Sequence, residues 1–182
     1  MSLRQSQTGF TLIELVVVII VLGILAVVVL PRFINLAPEA KSAALEAQYA
    51  AFEDAVRLYH SGYLTGGHSG AIDNLATFGD GTVDSTTNGW PYATEGTATH
   101  LFNACEQLWH GLTSTDLSIA YVVDADLPTT DADIAYTYAS SPHTCIYRAS
   151  YFIQRNEPTL IMEYQVDSGQ VTVRRAHWQP QP

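Results

Sequence analysis

A predominantly apolar run of 21 residues, 10–30, constrains this chain more than any other feature, because it contains one charged side chain, Glu14. A helix of that length spans roughly 30 Å, which is enough to cross the hydrocarbon core of a bilayer. An ionised carboxylate at that depth costs on the order of 3 kcal/mol on insertion scales. Glu14 therefore requires either a partner or a function.

Two common explanations of an N-terminal apolar run, a signal peptide and a simple membrane anchor, do not explain all of its features. A secretory signal peptide has an apolar stretch of about 7 to 15 residues followed by a small-residue cleavage site. This run is longer, carries a charge and ends in Pro31, Arg32 and Phe33, without that cleavage pattern. A plain single-pass anchor fits the length but leaves Glu14 unexplained.

Residues 9–14 (GFTLIE) resemble the processing site of the type IV prepilin family, which includes the pseudopilins of type II secretion. The resemblance implies that a prepilin peptidase and methyltransferase cleaves after Gly9 on the cytoplasmic side and N-methylates Phe10. Residues 1–9 would be the leader peptide, and they contain Arg4 and no acid, as a cytoplasmic segment should.

The resemblance also implies a function for Glu14. In filaments of this family the glutamate of one subunit neutralises the terminal amine of a neighbour, which here would be on Phe10. A paired charge in a dry environment is much less costly than a single one, so assembly would relieve the penalty of burying Glu14 and would set the register of the helices. The alternative is that Glu14 is a tolerated residue near the cytoplasmic leaflet.

Residues 10–38 are predicted to form a transmembrane and assembly helix with kinks. Gly23, Pro31 and Pro38 are expected to make it flexible, because glycine is a poor helix former and proline removes a helical hydrogen bond. A local unwinding between Gly23 and Pro38 and a merely bent, intact helix are both compatible with the sequence.

The remaining residues, 39–182, are predicted to form one globular domain of the α+β class, as the pilin fold implies. An amphipathic helix over 39–61, with Gly62 as its stop, presents an apolar face to a sheet. A turn-rich loop follows over 63–95, then a second helix over 97–110 with Gly111 as its cap. An antiparallel meander covers 118–176, including one strand over 145–154 that would place Tyr151 and Ile153 on its inner face.

Both cysteines, Cys105 and Cys145, lie in the part that would be exported. In an oxidising periplasm such a pair is predicted to form a disulfide, since the chain has no C-x-x-C motif and no histidine or cysteine at zinc spacing nearby.

The composition argues against several other functions. A formal net charge of −10 opposes sequence-independent binding of nucleic acid, which needs basic side chains on phosphates. The six histidines follow no zinc or catalytic spacing, and there is no phosphate-binding loop, so neither an enzyme nor a cofactor is expected. Two sets of oxygen donors are possible calcium ligands: Asp80, Asp84 and Asn88, and Asp124, Asp126, Asp131 and Asp133. Solvated turns are the favoured interpretation of both sets, and no metal site is predicted.

Within the family, the sequence is most similar to pilins and minor pilins of mannose-sensitive haemagglutinin (MSHA) type pili, over residues 16–33, 80–91, 105–112 and 145–173. This similarity implies a structural subunit that is stored in the inner membrane of a Gram-negative bacterium, with its N-terminus cytoplasmic and its C-terminal domain periplasmic. The subunit would then self-associate into a surface pilus through the assembly machinery of that membrane. The main alternative is a pseudopilin of a type II secretion system. A third hypothesis is a sugar-binding adhesin that uses Trp90, Tyr92 or Trp178.

Overall fold

The structure, a computed structural model, describes residues 10–179, and for residues 30–37 it describes the backbone alone. The chain divides into two compact units, Met1–Ser42 and Ala43–Pro182. The first unit contains the N-terminal part of helix α1 (Leu12–Thr65), and the second contains its C-terminal part together with every other helix and strand described below.

Helix α1 is continuous from Leu12 to Thr65. The backbone is helical at Gly23 and through Pro31 and Pro38, so the local unwinding that the sequence allowed is not present in this subunit. An intact helix tolerates a proline when the surrounding turns keep their hydrogen bonds, at a cost of about 3 kcal/mol. Flexibility at these three positions stays a prediction.

In the second unit, one face of α1 is fully buried. The apolar residues that recur along it at helical spacing, Leu45, Tyr49, Phe52, Val56 and Tyr59, are each no more than 1% exposed. Their neighbours include aromatic rings from the second helix and from the sheet. This face is the centre of the hydrophobic core.

Helix α1 extends past its predicted stop at Gly62. A Cβ built on Gly62 would lie 3.0 Å from the Thr77 Oγ1 atom, so a small residue is needed for close approach of the loop and not for a helix end. The loop over residues 66–100 contains one isolated bridge between Ser85 and Pro91.

Helix α2 (Leu101–Leu112) begins four residues later than the predicted second helix. His100 is its N-cap, and the Nδ1 atom of His100 accepts a hydrogen bond from the Phe102 backbone N–H at 3.2 Å. Gly111 lies inside the helix and not at its cap. A Cβ at this position would come within 3.0 Å of Thr94 and Val83. Close packing and not capping explains that glycine.

Within residues 10–179, five strands form one sheet in the order β1-β2-β3-β4-β5. They are β1 (Ile119–Tyr121), β2 (Ile134–Ser140), β3 (His143–Ala149), β4 (Thr159–Gln165) and β5 (Gln170–Ala176). The pairs from β2 to β5 are antiparallel, but β1 is parallel to β2, which corrects the predicted all-antiparallel meander. The connection between β1 and β2 includes a 3₁₀ helix (Asp124–Thr129), and its length allows the crossover that a parallel pair requires.

The predicted strand over 145–154 is also shortened. Strand β3 ends at Ala149, and a single helical turn, α3 (Ser150–Ile153), follows it. The Ser150 backbone N–H still donates to the Asp133 carbonyl oxygen at 3.0 Å, one pair beyond the last residues of the β2–β3 ladder, and the chain becomes helical from there. Tyr151 and Ile153 are therefore helical and not strand residues: Tyr151 packs on the main core, and Ile153 belongs to a smaller buried cluster with Leu127.

A disulfide joins Cys105 on α2 to Cys145 on β3, with their Cα atoms 5.4 Å apart. Beside it, the Tyr147 hydroxyl donates a hydrogen bond to the Cys105 carbonyl oxygen at 2.7 Å. The disulfide and this hydrogen bond fix α2 against the sheet. The fold class is as predicted: an N-terminal apolar helix is followed by a second helix and a mostly antiparallel sheet, in the α+β class.

Candidate assembly site

The candidate site is the first turn of α1, where Thr11 and Glu14 bond to each other. The Glu14 Oε2 atom accepts from the Thr11 backbone N–H at 2.9 Å and from the Thr11 hydroxyl at 2.8 Å. In return, the Glu14 backbone N–H donates to the Thr11 Oγ1 atom at 3.3 Å. Thr11 thus satisfies one of the N–H groups that a helix start leaves without a partner.

This reciprocal arrangement is a capping box, in which a threonine at the N-cap and a glutamate three residues later bond to each other's backbone. The apolar run and the family resemblance point to Glu14 as the partner of a neighbour's amine and give Thr11 no part. The spacing T-x-x-E in residues 11–14 is the signal that could have found Thr11.

The capping box changes the energetics of the acid. A carboxylate can accept about four hydrogen bonds, and both donors from Thr11 go to the same oxygen, Oε2. Among the residues that the structure describes, no donor contacts Oε1. The hydrogen-bonding capacity of the carboxylate is therefore partly used within its own subunit. The Oε1 atom can still accept from a cation.

Around this turn the surface is apolar on every side. Phe10 is 90% exposed, and each large apolar side chain from Leu12 to Val29 is exposed in the isolated subunit. A helix that is apolar all round is normally buried in lipid or among other helices. By length and composition, Leu12–Val29 is sufficient to cross a membrane. The arrangement presents an acid within an uncovered apolar helix.

Residues 4–30 match the model of the prokaryotic N-terminal methylation motif. The match contains residues 9–14, the capping box and the apolar helix. The N-terminal segment of this chain is that of the type IV pilin and pseudopilin family. Members of this family are structural subunits and not enzymes.

Named relatives come from both branches of the family. The chain is 47% identical over 47 residues to the type IV narrow pilus major component PilA5 of Thermus thermophilus, a match that covers 26% of this chain and 40% of that protein. It is 41% identical over 56 residues to the type II secretion system core protein G of Klebsiella michiganensis, which covers 31% of this chain and 39% of that protein.

The corresponding core protein G of Pseudomonas aeruginosa is 39% identical over 56 residues, again over 31% of this chain and 39% of that protein. The chain thus spans about 40% of the length of the curated relatives it matches. No solved structure matches it.

The predicted pilin site residues differ in how far the structure describes them. Gly9, the predicted cleavage position, lies outside the described residues, as does the rest of the leader. Phe10 and Glu14 are separated by the single turn that the capping box closes. Gly23 is in regular helix and a Cβ there would meet no described atom within 4 Å, while for Pro31 the description is limited to its helical backbone.

Three of the acids in the two possible calcium sets bond to other groups of the protein. Buried Asp84 accepts hydrogen bonds from the backbone N–H groups of Asn74 and Gly96, both at 2.8 Å. Asp124 pairs with Arg148 at 3.7 Å, and Asp133 accepts from Ser118. Among the described residues, no three acidic, histidine or cysteine side chains are grouped so as to hold a metal ion.

The aromatic side chains considered for sugar binding lie in separate places. The Trp90 ring stacks on His60, with ring centroids 3.7 Å apart, and the Tyr92 hydroxyl donates to the Thr99 carbonyl oxygen. Trp178 packs on a small cluster around Leu127. The structure does not bring the three together.

Proposed function

We propose that this chain is a structural subunit of an MSHA-like type IV pilus. The precursor is cleaved after Gly9 by prepilin peptidase, Phe10 becomes an N-methylated amine, and the apolar helix holds the subunit in the inner membrane until it polymerises. The observation that carries the proposal is the half-satisfied carboxylate of Glu14 inside an exposed apolar helix. Self-association covers that helix and supplies the missing cation.

The geometry of the first turn supports the proposed pairing. Glu14 holds its own helix start through Oε2, which leaves Oε1 for the amine of Phe10 on an adjacent subunit. A cation within about 4 Å of a carboxylate is strongly favoured where water is excluded. A subunit displaced along the helix axis would leave two charges unpaired, so the pair also selects one register.

A pseudopilin of a type II secretion system is the second candidate, and the matches to two proteins named as core protein G of that system favour it. Deletion of the gene separates the two functions. Loss of surface fibres with unchanged secretion of enzymes supports the pilus, and loss of secretion with no change in fibres supports the pseudopilus.

The experiment that tests the proposal is to determine the N-terminus of the protein purified from its host, by mass spectrometry. The expected result is a chain that starts at methylated Phe10. Gly9→Leu is expected to leave the full precursor in the membrane, and Glu14→Ala is expected to be processed but to assemble poorly. A native protein that starts at Met1 or beyond Leu30, or normal filaments from Glu14→Ala, would refute the proposal.

A further inference from the structure

Exposed large apolar side chains in the globular unit lie on α1 and at both edges of the sheet. Beyond the apolar helix, five large apolar side chains are exposed among the described residues: Leu58, Leu64, Tyr121, Val123 and Val173. Three of the five lie on or beside an edge strand, since Tyr121 ends β1, Val123 follows it and Val173 is in the middle of β5. Both sheet edges therefore present exposed apolar side chains that a partner could cover.

The β1 edge contains a groove of about 390 Å³. Its walls are apolar and hydroxyl-bearing, and its one charged side chain is the exposed carboxylate of Asp126; the lining consists of Ala120, Tyr121, Val122, Val123, Asp126, Thr129 and Thr130. Such a groove suits an apolar side chain next to a cation.

The β5 edge supplies that combination. Val173 is 40% exposed, and it is followed directly by the exposed basic side chains of Arg174 and Arg175. Each arginine has an acidic neighbour in its own chain, Glu163 for Arg174 and Glu46 for Arg175. These pairs are themselves exposed, so each arginine can also contact an acid on another molecule.

The two edges also match face by face. Val173 pairs with Met162 and Tyr121 pairs with Tyr136, and both partners belong to the main core, so Val173 and Tyr121 lie on the same face of the sheet. Arg174 points to the opposite face, as Ala120 does, because side chains alternate along a strand. Strand β5 runs antiparallel to β1, so two sheets placed side by side in one orientation bring these edges together as antiparallel neighbours.

We infer that the β5 edge of one subunit docks on the β1 edge of a second copy of this chain, with Val173 against Tyr121 and Val123 and with Arg174 facing Asp126. The contact joins two different surfaces of one chain, and a contact of this kind generates open helical assemblies unless its rotation closes a ring. The inference rests on the proposed function, because it describes how the globular domains of polymerised subunits meet.

The direct test is a photo-cross-link in filaments of the full-length protein, with p-benzoylphenylalanine in place of Val173. Irradiation is expected to join that position to residues 117–131 of a second subunit. The matched control is the same probe at Leu64, an exposed apolar position on α1, where no adduct with residues 117–131 is expected. Assembled filaments in which position 173 gives no adduct, or one elsewhere, overturn the inference.

A charge exchange provides the second test. Asp126→Lys places two cations together and is expected to lower the yield of filaments by at least about tenfold, because like charges across an interface cost several kcal/mol. Adding Arg174→Glu to the same chain is expected to restore the yield, since every subunit carries both edges. Asp80→Lys makes the same charge change in a loop, and Arg174→Glu should not rescue any loss that it causes.

The outcomes separate the two proposals. One outcome would contradict the edge contact alone: methylated Phe10 and visible fibres, with no adduct at the β1 edge and no rescue by Arg174→Glu. The proposal of a pilus subunit would be unaffected by that outcome. Absence of any polymer from a correctly processed chain overturns both.

Discussion

Thr11 and Glu14 hold each other in the first turn of α1, through hydrogen bonds of 2.9, 2.8 and 3.3 Å. The glutamate therefore has two separable functions, one in starting its own helix and one, as proposed, in binding the amine of a neighbour. A capping box depends on oxygen atoms, whereas an ion pair depends on charge. Substitutions that remove only one of these properties can separate them.

Glu14→Gln and Thr11→Val form such a pair. Glutamine keeps an oxygen for the capping box but has no charge, so we expect normal insertion and cleavage with at least about a tenfold loss of filaments, equivalent to about 1.4 kcal/mol. Valine keeps the shape of threonine but removes its hydroxyl, which costs about 1 kcal/mol of helix stability and leaves the charge in place. Filament yield by sedimentation and electron microscopy, with precursor and mature bands on gels, measures both.

The opposite pattern would be decisive against charge pairing. Should Glu14→Gln assemble normally while Thr11→Val fails, the carboxylate would matter for capping alone.

The disulfide between Cys105 and Cys145 is expected to stabilise the globular unit strongly. The two cysteines are 40 residues apart, and on the chain-entropy model closing a loop of that size stabilises by about 4 kcal/mol. Replacing both cysteines by serine should therefore lower the free energy of unfolding by about that amount, measured by urea denaturation of the full chain in detergent. Reduction of the native protein should give a similar loss, and no loss from either treatment would show that the pair contributes little.

The sequence was sufficient to predict the parts of the fold that repeat a pattern. The apolar face from Leu45 to Tyr59 is as predicted, since helical spacing of large side chains leaves few alternatives. The parallel pairing of β1 with β2 was not predicted, because strand direction depends on the crossover and not on the strand residues. Gly62 and Gly111 were misread as helix ends, although each is small because another segment packs against it.

The residues of the candidate assembly site could be predicted from the sequence only in part. Glu14 was found because a charge in an apolar run is conspicuous, whereas its partner Thr11 was missed although the spacing was visible. Strand β3 ends at Ala149 because the chain enters the helical turn α3, and the alternation of residues 145–154 gave no sign of that turn.

Gly169 and Gly67 allow the cost of backbone strain to be separated from the cost of a steric clash. Both have a positive φ, 69° and 67°, which costs an L-residue roughly 1 to 2 kcal/mol. A Cβ on Gly169 would also lie 2.1 Å from the Trp90 ring, whereas a Cβ on Gly67 would meet none of the described atoms within 4 Å. We therefore expect Gly67→Ala to lose about 1 kcal/mol and Gly169→Ala to lose distinctly more, with a change in tryptophan fluorescence as the Trp90 ring moves off His60.

Denaturation curves of the two variants, recorded side by side, provide the measurement. Equal losses from both substitutions would mean that the Trp90 ring does not press on the backbone at Gly169.

Alkaline pH is expected to destabilise the globular unit, because burial raises the pKa of several tyrosines. The pKa values of Tyr147 and Tyr164 lie well above the ordinary value of 10, and desolvation is the main cause for both. A pKa that is higher in the folded chain means that stability is fully present below about pH 10 and declines as pH rises beyond it, since the unfolded chain ionises first. The decline is on the order of 1.4 kcal/mol per pH unit for each such group.

Absorbance at 295 nm should show these tyrosines ionising together with unfolding. The variant Tyr147→Phe should be less stable than the native chain at pH 7 by about 1 kcal/mol, because it loses the hydrogen bond to Cys105. Its stability should nevertheless decline less steeply above pH 10. A decline as steep in Tyr147→Phe as in the native chain would exclude a contribution from that hydroxyl.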